Sequence, residues 1–187
     1  MTKAKSNVMT DFGAPIIVLV LICVIMSGLL AFTNGITAPI IAEAERRANE
    51  GARLEVLPSA DAFEKVEAGG LPDAVREVYK ASNGAGYTFS IVAEGYGGKN
   101  TLKMTVGIDA DGRITGTKVL SQSETPGLGA KIVTDANFYG QFPGKDAAYV
   151  SDIKNIDTIS GATRSSNFYR LALTYAFEAY DMVKGAA

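Results

Sequence analysis

The sequence predicts an α+β protein in which one N-terminal transmembrane helix precedes an antiparallel sheet flanked by helices. Three observations predict it: an uncharged apolar run near the N-terminus, short β-branched segments in the middle, and an amphipathic helical pattern at the C-terminus. With 187 residues, of which 47% are hydrophobic, the chain has room for one modest soluble domain beside one membrane helix.

The apolar run covers residues 14–32 and consists mostly of Ile, Val and Leu. At about 1.5 Å per residue it is long enough to cross a bilayer core of about 30 Å. A cleaved signal peptide is the alternative, but the run exceeds the usual apolar length and residues 31–34 make a poor small-residue cleavage site. We therefore expect an uncleaved membrane anchor.

A connecting helix and loop are expected over residues 33–72. The segment 36–57 places charged residues among alanines and leucines and ends before Pro58, which predicts a helix. The pair at residues 69–70 is Gly-Gly and indicates a loop. The folded domain is then expected over residues 73–187.

Strands are predicted within this domain wherever β-branched residues are enriched over short lengths. They cover residues 75–79, 87–93, 102–108 and 114–120, the last two joined as a hairpin by Asp-Ala-Asp-Gly at residues 109–112. Residues 130–138 are expected to be helical.

Composition excludes several kinds of chemistry. The chain has no histidine, which rules out Ser-His-Asp catalysis, histidine-ligated haem and most zinc sites. Its one cysteine, Cys23, lies in the apolar run, so no disulfide or four-cysteine cluster forms within the chain. We expect no metal site and no catalytic side chain. Because the chain is slightly acidic and has no basic stripe, we also expect no nucleic-acid partner.

One motif near the C-terminus, D-T-I-S-G-A-T at residues 157–163, precedes a helical pattern. Thr163 is therefore expected at or just before a helix start, where free N–H groups and the helix dipole favour a phosphate. Gly161 permits close approach of a ligand, and Arg164 adds a cation. An ordinary capped turn is the alternative. The predicted apolar stripe of the helix consists of Phe168, Leu171, Ala172, Tyr175, Ala179, Met182 and Val183.

A second motif, E-T-P-G-L-G-A, occupies residues 124–130. Its glycines allow main-chain N–H groups to meet a flat heterocycle, and Leu128 is suited to cover one face of such a ring. Taken alone, the segment is equally typical of a Pro-Gly turn between a strand and a helix.

In this order, the two motifs resemble those of the FMN-binding domain family of Rnf-type electron transport complexes and of the sodium-pumping NADH:quinone reductase. The resemblance covers about residues 87–183, although Gln122 stands where many relatives carry a histidine. It implies an FMN-binding domain with FMN joined covalently, through its phosphate, to Thr163. The other expected cofactor-binding residues are Ser160, Gly161, Ala162, Glu124, Thr125, Gly127, Leu128 and Gly129.

The resemblance further implies a function: an electron-relaying subunit of an ion-translocating ferredoxin:NAD-type complex, with the Rnf-type G subunit favoured. The C subunit of the sodium-pumping quinone reductase and a cofactor-free, membrane-anchored interaction module are the alternatives. Implied partners are other membrane and redox subunits, a flavin transferase for maturation, and membrane lipid.

Charge does not decide the membrane orientation, because Lys3 and Lys5 before the apolar run are matched by Arg46 and Arg47 after it. The family resemblance implies a single-pass cell-membrane protein. Its N-terminal tail, residues 1–13, would be cytoplasmic and its flavin domain extracytoplasmic.

Overall fold

The computed structural model describes residues 13–185 and separates into two compact units, with the boundary between Arg46 and Arg47. Of the predicted N-terminal tail, residues 1–12 lie outside the described part of the chain. Helix α1, Ala14–Val56, begins in the first unit and ends in the second.

Helix α1 is one continuous helix of 43 residues, so the predicted boundary at residue 33 is not a helix break. The polar residues there do not interrupt it, because the Thr33 hydroxyl donates to the Leu29 carbonyl (2.8 Å) and the Thr37 hydroxyl to the Thr33 carbonyl (3.0 Å). The large apolar side chains from Ile16 to Ile41 are exposed, and the helix is long and apolar enough to cross a membrane. Residues 14–32 as the spanning segment stay a prediction.

The second unit contains a five-stranded antiparallel sheet whose spatial order equals its order in the chain. The strands are β1 (Phe63–Val66), β2 (Val75–Ala81), β3 (Gly86–Gly95), β4 (Gly98–Asp109) and β5 (Ile114–Gln122). The predicted antiparallel sheet is thus confirmed, with longer strands than expected. Strand β1 lies in the region expected to be a connecting loop. Its four residues include exposed Glu64 and Lys65, a charged edge strand too short to show alternation.

Two of the hairpins in this sheet bear on the predicted turn and on the candidate site. In the β4–β5 hairpin, the Asp109 carboxylate accepts from the Asp111 and Arg113 N–H groups at 3.0 and 2.8 Å, as suits the predicted turn. In the β3–β4 hairpin, Gly95 pairs with Gly98, so Tyr96 and Gly97 form the connection. This second turn carries Tyr96 to the end of the sheet that bears the candidate site.

Helix α5, Thr163–Val183, covers one face of the sheet and buries Tyr169, Leu173, Ala176, Phe177 and Tyr180 as well as part of the predicted stripe. The predicted stripe is partly wrong: Phe168, Leu171 and Tyr175 are only half-buried, and Met182 is exposed. Apolar residues cover a wide arc of the helix. Their spacing in the sequence therefore did not identify which side of the helix lies at the centre of its contact with the sheet.

Three short helices follow β5 and precede α5 in the chain: α2 (Lys131–Thr134), α3 (Ala136–Tyr139) and α4 (Ala147–Ser151), with a 3₁₀ turn at Ile153–Asn155. The helix expected over residues 130–138 is broken at Asp135. Asp135 has an extended backbone, and its carboxylate caps α3 by accepting from the Asn137 N–H at 3.0 Å.

The opposite face of the sheet carries the end of α1. Gly107 on β4 pairs with Gly116 on β5, and because neither has a side chain, Val56 packs directly against the sheet backbone there. A Cβ on Gly116 would lie 3.0 Å from the Val56 Cα, and one on Gly107 would collide with the Val56 carbonyl and the Thr115 hydroxyl. That hydroxyl donates to the Val56 carbonyl at 2.5 Å, which fixes the helix end on the sheet.

We expect Gly107→Ala to destabilise the domain by about 1–3 kcal/mol, because the added methyl group overpacks this contact. Thermal and denaturant unfolding of the full chain in detergent would measure it. The control is Gly69→Ala, at a position with open space around it, which should change stability by less than about 0.5 kcal/mol. Equal effects for the two variants would contradict the assignment.

Alkaline pH should destabilise the domain through Tyr169. Burial raises the pKa of this tyrosine above its ordinary value of 10.0, and it outweighs the opposing effect of the hydrogen bond between the Tyr169 and Thr117 hydroxyls (2.6 Å). Above pH 10 the unfolded chain therefore loses the proton first. The free energy of unfolding should then fall by up to about 1.4 kcal/mol per pH unit from this group. In Tyr169→Phe, the free energy of unfolding should fall less steeply between pH 10 and 11 than in the wild type. An unchanged slope would contradict the prediction.

Candidate functional site

The candidate site is a pocket of about 400 Å³ at the start of α5. Three segments form its walls: the β3–β4 turn, residues 125–129, and the turn that leads into α5. Its lining residues are Tyr96, Thr125, Leu128, Gly129, Gly161, Ala162, Thr163, Arg164 and Ser165. The two motifs found in the sequence are thus brought together in one pocket.

Thr163 is the first residue of α5, and its side chain is exposed in the pocket wall. The preceding residue, Ala162, is the N-cap and provides no side-chain hydrogen bond. The N–H groups of the first helical turn have no carbonyl partner within a helix. Together with the positive end of the helix dipole, they make this a suitable place for a phosphate.

The turn before the helix is held by Ser166. Its hydroxyl accepts from the Ile159 N–H and donates to the Ala162 carbonyl, both at 3.1 Å. Gly161 has φ +78°, which a residue with a Cβ rarely adopts. Ser160 is exposed and lies outside the pocket lining, so of the predicted site residues in this motif only Gly161, Ala162 and Thr163 line the pocket.

The second motif forms a tight turn across the pocket. The Thr125 carbonyl accepts from the N–H groups of Leu128 (3.2 Å) and Ala130 (3.1 Å). Leu128 is 47% exposed, which is unusual for a leucine in a folded turn and leaves an apolar surface facing the pocket. Gly127, with φ +76°, makes the turn but does not line the pocket.

Glu124 differs from the other predicted residues because it is buried behind the pocket, with 6% of its surface exposed. One carboxylate oxygen accepts from the Tyr96 N–H at 2.8 Å, and the other accepts from the Ser165 hydroxyl at 2.5 Å. It contacts the residues that line the pocket and is not itself in the lining.

Tyr96 and Ser165 lie outside the predicted set of site residues, and the structure adds them. The Tyr96 ring is 57% exposed, and the Arg164 guanidinium lies 5.6 Å from its centroid and 5.8 Å from that of Phe168. An aromatic residue within a glycine-rich turn, Gly-Tyr-Gly-Gly, was the sequence signal for Tyr96. The pocket therefore has a cation and an aromatic ring beside the helix start.

Comparison with known proteins agrees with this geometry. Residues 95–178, which include both motifs and the Tyr96 turn, match the FMN-binding domain family. The G subunit of the Na(+)-translocating ferredoxin:NAD(+) oxidoreductase complex of Acetobacterium woodii is 35% identical over 173 residues, covering 84% of this chain and 79% of that protein. The chain belongs to the G-subunit family of ion-translocating oxidoreductase complexes.

Other members of this family are similarly related. The G subunit of the ion-translocating oxidoreductase complex of Methanosarcina acetivorans is 35% identical, covering 81% of this chain and 85% of that protein. The G subunit of the proton-translocating ferredoxin:NAD(+) oxidoreductase complex of Clostridium ljungdahlii is 31% identical, covering 79% and 80%. The resemblance stated from the motifs is confirmed, and it favours the Rnf-type G subunit over the quinone reductase C subunit.

The residues present fit FMN. An uncapped helix start and Arg164 suit its phosphate, whereas exposed Leu128 and Tyr96 offer apolar and aromatic surface to a flat ring system. The pocket brings together a helix N-terminus, a hydroxyl and exposed apolar side chains, all within the residues that match the FMN-binding domain family.

Gly129→Ala should disturb this pocket by overpacking. A Cβ on Gly129 would lie 2.5 Å from the Ser165 Oγ and 2.6 Å from the Glu124 Oε2, so we expect a loss of about 1–3 kcal/mol in stability. Unfolding measurements on the full chain would test it against Gly51→Ala, which has open space and lies within α1. The control should be neutral or slightly stabilising. A Gly129→Ala variant as stable as the wild type would contradict the expected overpacking.

Proposed function

We propose that this chain carries FMN in phosphoester linkage to Thr163 and relays electrons within an ion-translocating ferredoxin:NAD oxidoreductase complex. The observation that supports the attachment point is an exposed threonine hydroxyl on the first residue of an uncapped helix, inside the pocket formed by both motifs. Family membership and the FMN-binding domain support the relay function.

Bound FMN supplies the redox chemistry, since it exchanges one or two electrons. The chain's own residues bind and orient it. The first-turn N–H groups of α5 and the Arg164 guanidinium would hold the phosphate, and Leu128 and Tyr96 would provide surface for the ring. Thr163 is an attachment point and not a base. Of the predicted cofactor-binding residues, Thr125 and Gly129 line the pocket, whereas Ser160, Glu124 and Gly127 would act indirectly.

Attachment requires a second protein. In the proposed step, the Thr163 oxygen bonds to the FMN phosphorus of a flavin dinucleotide, and the phosphoanhydride bond to the second nucleotide breaks. The hydroxyl proton would pass to a base on that second protein, and the second nucleotide would leave. A flavin transferase would catalyse this step, because the residues that line the pocket include no carboxylate, lysine or histidine to act as a base. Electron donors and acceptors would lie on other subunits of the complex.

The membrane anchor is α1, and the chain is a membrane protein by its apolar helix and its family. We propose that it crosses the bilayer once, in contact with lipid, with residues 14–32 in the membrane, a cytoplasmic N-terminal tail and an extracytoplasmic flavin domain. The exposed apolar surface of α1 supports the membrane contact. The orientation rests on the family resemblance alone.

Intact mass of the purified, denatured protein tests the attachment. We expect wild-type chain from its native membranes to show a mass increase of one esterified FMN, and Thr163→Val to show none, because the acceptor oxygen is gone. Thr158→Val is the matched control: it removes another exposed threonine of the same motif and should retain the mass increase.

Two results would contradict the attachment proposal. One is an unmodified wild-type mass, and the other is a mass increase that persists in Thr163→Val. Expression in a host without a flavin transferase should yield unmodified, colourless protein after denaturation. Covalently flavinylated protein from such a host would contradict the requirement for the enzyme.

Cysteine labelling tests the orientation. In a Cys23→Ala background, Lys99→Cys places one thiol in an exposed position on the flavin domain. A membrane-impermeant maleimide should label it in intact cells as completely as in lysed cells. Labelling only after lysis would place this domain in the cytoplasm and refute the proposed orientation.

A further inference from the structure

The Glu124 carboxylate joins three segments that are far apart in the sequence. Its Oε1 accepts from the Tyr96 N–H (2.8 Å) and its Oε2 from the Ser165 hydroxyl (2.5 Å), spanning 28 and 41 residues respectively. Its own N–H donates to the Gln122 Oε1 at 2.5 Å. The pocket walls, namely the β3–β4 turn, residues 125–129 and the start of α5, are all connected through this one residue.

Two glycines make room for the carboxylate. A Cβ on Gly95 would lie 2.8 Å from the Glu124 Oε1, and one on Gly129 would lie 2.6 Å from its Oε2. Real side chains essentially never approach so closely, so both positions accept only glycine while Glu124 stays where it is. The space occupied by the Glu124 carboxylate therefore depends on having glycine at both positions. An incidental surface contact would not need two such neighbours.

Hydrogen-bond donors surround the carboxylate, and among the described residues no lysine or arginine pairs with it. Removing a partner from a buried carboxylate is costly, so its two bonds are strong constraints on position. Ser165 is the third residue of α5, in the turn whose N–H groups are proposed to hold the phosphate. Glu124 is thus linked to the start of α5 through the Ser165 side chain, whereas the N-cap residue, Ala162, makes no side-chain hydrogen bond.

We infer that Glu124 is a positioning residue whose hydrogen bonds to Tyr96 and Ser165 hold the pocket in the shape that accepts FMN at Thr163. It acts from behind the pocket and does not contact the cofactor. The inference deepens the proposed function and rests on it for the role of Thr163. The two hydrogen bonds from Tyr96 and Ser165 to Glu124, called the tie below, can be measured without any flavin.

The first experiment measures the tie without flavin, in full-length Thr163→Val protein in detergent. Amide hydrogen exchange at Tyr96 should be about tenfold faster or more in the added Glu124→Ala variant, because its acceptor is lost. Glu124→Gln keeps an acceptor for Tyr96 and a donor for Ser165, so exchange should stay within about threefold of the parent. Glu178→Ala, an exposed glutamate on α5, is the matched control and should leave Tyr96 unchanged.

The second experiment measures the rate at which a purified flavin transferase adds FMN to unmodified protein that retains Thr163. Glu124→Ala should lower this rate about tenfold or more, and Glu124→Gln should restore most of it. Ser165→Ala removes only the α5 half of the tie; it should slow FMN addition while leaving Tyr96 exchange protected. Thermal unfolding of each variant would show whether the domain is still folded.

The outcomes separate the two proposals. If wild-type protein gains no FMN, the proposed attachment fails, whereas Tyr96 exchange still tests the tie. If wild type gains FMN but folded Glu124→Ala gains it equally fast, or if Tyr96 exchange is unchanged in that variant, the positioning role is overturned. A folded Glu124→Gln variant as slow as Glu124→Ala would also overturn it, because the hydrogen bonds would then not be what matters.

Discussion

The packing of α5 against strands β3 and β4 is the constraint on which the rest of the domain depends. Tyr169, Leu173 and Ala176 on this helix are completely or almost completely buried. Near its C-terminal end, the Tyr180 hydroxyl donates to the Ala110 carbonyl at 3.0 Å, and the Tyr180 ring meets that of Tyr87 edge to face. A helix held along its length in this way has its first turn in a defined position, so Thr163 is presented by a rigid element.

Close packing of backbone segments at glycines shapes the site as much as its side chains do. At Gly129, a Cβ would enter the space of the Ser165 hydroxyl and the Glu124 carboxylate, whereas at Gly161 the backbone adopts a φ that favours glycine. Glycines also permit close packing in the sheet, where Val56 packs against the paired Gly107 and Gly116. Glycines thus allow the turn at residues 125–129 to approach the start of α5, and the end of α1 to approach the sheet.

The charges of the site are separated between the pocket surface and the interior behind it. The phosphate position is provided by helix N–H groups and one nearby cation, Arg164, which lies close to the Tyr96 and Phe168 rings. Glu124, a negative charge, is kept behind the pocket by burial and by its two donors. An anion at Thr163 would therefore meet partial positive charges and a guanidinium at the pocket surface, while the carboxylate remains occupied with donors of its own.

The sequence by itself determined the local features: the apolar length of α1, the hairpin at Asp109, the β-branched strands, and a helix start at Thr163. These depend on composition, turn chemistry and short spacings, which act over a few residues. Strand β1 and the break at Asp135 were not predicted, because a strand of four residues, two of them exposed, and one capping carboxylate leave little periodic signal. Only the tertiary structure decided that Glu124 lies behind the pocket, that Tyr96 enters it, and which arc of α5 is buried. Each of these is a contact between segments distant along the chain, and no local pattern records which distant segment a side chain will meet.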